Sequence, residues 1–175
     1  MHNTHKIHTY TIDSHPDPES VYDWVRDNWH DLGEHSVYEA IDSLKAFASY
    51  YDADLDYSIG IVSDRGEFIS LDISEDISEL SGVRLWKYLQ KNYPVDLSGN
   101  CPFTGIVWDE TLLDGIREFM KKPDSRDFSD LLSDCSDKLL SAIHSEGEYI
   151  YSDEGLKDLL EANQYEFTES GEFYA

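Results

Sequence analysis

The chain has 175 residues, enough for one domain with a real core, and is 40% hydrophobic and 13% aromatic, which excludes an intrinsically disordered polymer. Against that folded background stand 37 acidic and 13 basic residues, a formal net charge of -24, where small soluble domains usually carry about 2–8. Two cysteines are too few for a disulfide framework, the His-rich start is unlike a secretion signal, and no apolar run approaches the ~18 residues of a membrane span, so the expected location is the cytoplasm.

Residues 6–12 alternate well enough for a first strand, which Pro16 and Pro18 interrupt. Asp17 is a candidate helix cap with Pro18 in the first helical position. Val21, Trp24, Val25 and Trp29 then follow helical spacing until Gly33. Ser36 and Glu39 have the spacing of a capping box, which predicts a second helix with Val37, Ala40, Ile41, Leu44, Phe47 and Ala48 on its apolar face. Residues 55–62 read as a strand with Tyr57, Ile59 and Ile61 on one face. Asp64, Arg65, Gly66 and Glu67 form the turn, and residues 68–73 form the returning strand.

A polar connector leads to a predicted helix over 82–93, stopped by Pro94, and then to a loop over 95–104. After a short apolar run at 106–108, Asp109 is positioned to cap a helix over 111–121, ended by Pro123. Residues 127–145 carry Phe128, Leu131, Leu132, Leu139, Leu140 and Ile143 at helical spacing. Ser152 caps a helix reaching 162, and 165–174 reads as a hairpin turning at Ser170 and Gly171. The expectation is a single α+β domain over 1–175: a small antiparallel sheet built on the hairpin at about 55–73, packed with several acidic amphipathic helices.

The acids are spread along the whole chain rather than gathered in a tail. Glu19, Asp23, Asp27 and Asp31 recur every four residues, and Asp127, Asp130, Asp134 and Asp137 recur at three and four. That spacing sets like charges on one helix face, at about 0.2–0.5 kcal/mol per pair, and Asp is a weaker helix former than Glu. The step of about 6 Å along a helix is comparable to the spacing of phosphates along a nucleic-acid strand. A host adapted to high salt would give another reason for the charge, but Lys (8) outnumbers Arg (5), and Ile, Tyr and Phe are plentiful.

In composition and size the chain resembles the DNA-mimicking proteins that phages and plasmids deploy against restriction and CRISPR systems. The resemblance is one of strategy, since those proteins share no common motif or fold. Residues 57–68, with Cys101, Pro102, Phe103, Thr104 and Gly105, are similar to stretches of small phage proteins, without indicating a site. The resemblance implies an inhibitor in the host cytoplasm whose partner is a basic nucleic-acid-binding protein or complex, without direct nucleic-acid or membrane binding. The two acidic stripes are the expected partner-binding residues.

Other constellations are weaker. Asp52, Asp54 and Asp56 alternate as in a calcium loop, but Tyr57 and Ser63 stand where an EF-hand needs Gly and Glu. His2, His5, His8, His30 and His35 lack the spacing of a zinc helix. Cys101 precedes Pro102 in a loop with no identifiable base, and Cys135 falls among apolar helical positions. Neither a catalytic residue, a metal nor a cofactor is expected. An antitoxin or immunity protein against a basic toxin remains an alternative, as does a carboxylate- or metal-dependent enzyme acting through residues such as Asp54 and Asp56.

Overall fold

The structure is a computed structural model that describes residues 7–62, 66–94 and 101–175. The fold is α+β: among the described residues it has seven α-helices and two antiparallel sheets of two strands each. Packing groups the chain into two compact units, 34–146 and a second made of 1–33 with 147–175.

The larger unit is built on α2 (Glu34–Tyr50), the hairpin β2 (Asp54–Ser58) and β3 (Phe68–Asp72), α3 (Glu75–Ser78), α4 (Gly82–Asn92), α5 (Trp108–Lys121) and most of α6 (Phe128–Ile150). The hairpin has the expected alternation. Leu55 and Tyr57 turn inward while Asp54, Asp56 and Ser58 face out, and the register sets Leu55 opposite Leu71. The tip of its turn, residues 63–65, lies outside the described residues, as do 95–100 of the expected loop. Helix α2 packs on α5, and Leu44, Phe47, Leu113, Phe119, Leu132 and Leu139 are fully buried between the elements. The His144 Nε2 atom lies 2.7 Å from Glu67 Oε2, tying the hairpin's return to α6.

The smaller unit closes on Ile12, Val21, Val25, Leu156, Leu160 and Phe167. The expected first strand shrinks to β1 (Thr9–Tyr10), followed by a 3-10 turn at Ile12–Ser14. It pairs with β4 (Phe167–Thr168) in register Thr9 to Thr168. His15, 5% exposed, accepts at Nδ1 from the Asp17 N–H and donates from Nε2 to the Thr168 carbonyl, bracing the entry to α1 (Pro18–Asn28). Ser152 caps α7 (Asp153–Asn163) as expected, its hydroxyl accepting from the Gly155 N–H at 3.0 Å. The tail hairpin also forms, with the Gly171 N–H bonded to the Thr168 carbonyl.

Four expectations change. The strand expected over 55–62 ends at Ser58, so of Tyr57, Ile59 and Ile61 only Tyr57 lies on it. Asp17 sits at the cap position of α1 but makes no side-chain cap bond, so Pro18 alone marks that start. Helix α2 begins at Glu34, directly after Gly33 in the left-handed region (φ 81°), so Ser36 lies inside the first turn rather than at a cap. The polar connector contains the one-turn helix α3.

Gly115 of α5 meets α6 closely: a Cβ there would lie 2.7 Å from Cys135 Sγ. Cys135 is fully buried, and burial pushes its thiol up to about 12, which keeps it an apolar packing group. Gly115→Ala is expected to destabilise the protein by about 1–3 kcal/mol. Adding Cys135→Ala should restore part of the loss. Strict additivity in a urea-denaturation double-mutant cycle would show that this contact does not limit the site.

Candidate acidic interface

Glu19, Asp23 and Asp27 all lie on α1 and are exposed. The stripe stops there, because α1 ends at Asn28. Asp31 stands exposed in the turn beyond, not on the helix as its spacing suggested. Glu19 occupies the first turn, where the helix dipole favours a carboxylate, and Asp23 lies 3.5 Å from Arg26. Asp27 has the opposite placement, a carboxylate in the last turn, where the dipole disfavours it.

The second stripe divides in the same way. Asp127 precedes α6 and accepts from the Asp130 N–H at 2.8 Å, so it acts as the helix cap. Asp130 sits in the first turn. Asp134 is held by Arg126 at 2.5 Å. Asp137 is exposed on an open groove of about 660 Å³, lined also by Glu118, Arg126, Asp134, Lys138 and Ser141. Among the described residues the side chains of Glu19, Asp27, Asp31, Asp130 and Asp137 have no polar partner. Of these, Asp27, Asp31 and Asp137 also lack a favourable helix-end position.

Three arginines and two lysines are paired against this excess. Arg26 is gripped by Asp23 and Asp153 and donates to the Tyr151 carbonyl. Arg117, 13% exposed, lies between Glu110 and Asp114, and Arg126 between Asp124 and Asp134. Lys138 pairs with Glu118, and Lys157 with Glu161. Among the described residues Lys45, Lys121 and Lys122 are exposed without an ion pair, and α4 carries Arg84, Lys87 and Lys91 on its exposed side and no acid. Its Leu85 and Leu89 are buried, and Trp86 donates from Nε1 to the Met120 carbonyl.

One carboxylate has an internal task. Asp109, fully buried, was expected to cap α5, but that helix begins one residue earlier, at Trp108. Its oxygens instead accept from the N–H groups of Phe103 (2.8 Å), Thr104 (2.7 Å) and Gly105 (3.3 Å) and from the Thr104 hydroxyl, which also meets Ser43. Burial alone would raise the Asp109 carboxyl. Bonds from Thr104, Ser43 and Phe103 outweigh it and hold the group below its ordinary value. Burial, with Asp109 nearby, raises the Cys101 thiol. Asp54 and Asp56 face outward from β2, and Asp52 accepts from the Tyr93 hydroxyl at 3.3 Å. No group of three or more His, Cys, Asp or Glu among the described residues is arranged to hold a metal ion. No helix of the described residues is long and apolar enough to cross a membrane.

A carboxylate with a lowered folded-state pKa stabilises the fold above its unfolded value, near 4, and loses that contribution as pH falls through the folded value. Asp109→Ala, which strips three backbone donors of their acceptor, is therefore expected to cost about 2–4 kcal/mol at pH 7. The gap from the parent should narrow in urea denaturation at pH 3. A gap that stays constant between pH 7 and pH 3 would show that the charge of Asp109 contributes nothing.

No family model, no curated protein and no solved structure matches this chain.

Proposed function

We propose that the protein is an acidic inhibitor that occupies the basic, nucleic-acid-binding surface of another protein, in the manner of the DNA-mimicking anti-restriction and anti-CRISPR proteins. The observation that carries this reading is the division of labour among the charges. Three arginines are each clamped by two carboxylates, while Asp27, Asp31 and Asp137 stand exposed with neither a partner nor a helix end to favour them. Charges arranged for stability alone would have been interleaved with lysine.

A rigid body bearing such carboxylates offers a Lys/Arg groove the field it meets on a phosphate backbone. The same field repels nucleic acid itself, which argues against a nuclease. The cationic side of α4 would be repelled by a basic partner, so contact falls elsewhere. The smaller unit is the denser in charge, with fourteen acidic residues against three basic, and Asp27 and Asp31 belong to it.

The test is capture of partners from a bacterial lysate on the immobilised protein, at low and high salt, with and without competing DNA. The expected result is a nucleic-acid-binding protein displaced by both DNA and salt. The combined change Asp27→Lys and Asp31→Lys is expected to weaken that complex at least about tenfold, or ~1.4 kcal/mol. The triple change Arg84→Glu, Lys87→Glu and Lys91→Glu should not weaken it. A single partner indifferent to DNA would replace this reading with that of an antitoxin.

A further inference from the structure

In the smaller unit, Trp24, Trp29, Tyr165 and Phe173 form a partly exposed aromatic cluster. The Phe173 ring lies 6.4 Å from Trp24, nearly parallel at 25°, and meets Trp29 at 5.7 Å and Tyr165 at 5.6 Å, both edge-on. The segment that carries it is pinned. Tyr174 donates its N–H to the Glu166 carbonyl, and at Gly171 a Cβ would fall 2.7 Å from the backbone of Ser20 in α1. Yet Phe173 keeps 39% of its surface exposed and Tyr174 keeps 52%. A cluster serving only the core would be covered.

Asp27 stands one helical turn after Trp24 on α1, and Glu172 precedes Phe173 in sequence; both are exposed. The unit's own described cations are engaged elsewhere, Arg26 with Asp23 and Asp153, and Lys157 with Glu161. Among the described residues the cation–π contact is Arg126 over Phe119, in the other unit. The result is a partly exposed aromatic cluster with the carboxylates of Asp27 and Glu172, unpaired among the described residues, close to it in the chain. Such a surface attracts a planar guanidinium, which stacks on indole and bonds a carboxylate at the same time. Tryptophan, tyrosine and arginine are also the residues that dominate interface energetics.

We propose that this cluster is the anchor for an arginine side chain of the basic partner, with the guanidinium on the Trp24–Phe173 face and Asp27 beside it. This rests on the reading that the protein binds a basic partner, and deepens it from a diffuse field to a defined point of contact. The arginine residues of a nucleic-acid groove would reach the acidic surface by long-range attraction and be retained by the rings.

The probe is a deca-arginine peptide, titrated into the intact protein while tryptophan emission is followed, with deca-lysine as comparison. Deca-arginine is expected to bind in a salt-sensitive way, to quench emission, and to bind more tightly than deca-lysine. Trp24→Ala and Phe173→Ala should each weaken deca-arginine binding by roughly threefold to thirtyfold. Trp24→Phe keeps a ring, serves as the folded control, and should retain part of the affinity with less quenching. Unchanged deca-arginine affinity in Trp24→Ala and Phe173→Ala, with salt-sensitive binding intact, overturns the anchor and leaves the broader reading standing. Failure of the parent protein to bind either peptide overturns both.

Discussion

Mutual repulsion among carboxylates is the constraint that the rest of this structure has to satisfy. A net charge of -24 on 175 residues opposes compaction, and against it stand a largely apolar interior and three arginines that each hold two carboxylates. Arg26 joins α1 to the segment leading into α7, and Arg126 joins the chain before α6 to the helix itself, each holding two carboxylates at once. Exposed pairs of this kind contribute little singly, about 0–1 kcal/mol. Their effect here is to relieve repulsion at the points where acids would otherwise crowd.

The acids themselves divide into those the fold uses and those it tolerates. Asp127 caps α6, Asp109 holds the loop before α5 through three backbone N–H groups, and Glu67 meets His144. Asp27, Asp31 and Asp137 do none of this. A carboxylate in the last turn of α1 works against the helix dipole, so its presence calls for a reason outside the fold. The inhibitor reading supplies one, and the aromatic cluster beside Asp27 gives that reading a place to begin.

Local chemistry made much of the fold legible. Alternation revealed the hairpin and the inward face of Tyr57, though not that the strand stops before Ile59 and Ile61; Gly82 and Pro94 bracketed α4, and Ser152 announced α7. What stayed hidden depended on contacts distant in sequence. Asp109 looked like a cap because Asp before an apolar period usually is one. Only the folded chain brings the N–H groups of Phe103, Thr104 and Gly105 onto its oxygens. The signal for it in the sequence is the Thr104-Gly105 turn a few residues ahead of the helix. Nor did composition mark the two compact units, since one crossing between them falls within α6, near Gly147. The acidic stripes were legible as spacing but not as partners, because Asp134 and Arg126 meet eight residues apart and α1 stops short of Asp31.

Asp27, Asp31 and Asp137 are kept at a cost in stability. The most direct test is the melting temperature of the parent against the triple variant Asp27→Asn, Asp31→Asn and Asp137→Asn across a salt series. The variant should melt higher at low salt, with the difference closing as salt screens the repulsion. A variant that melts at the same temperature or lower throughout would mean that the fold itself needs these carboxylates, and the claim would fall.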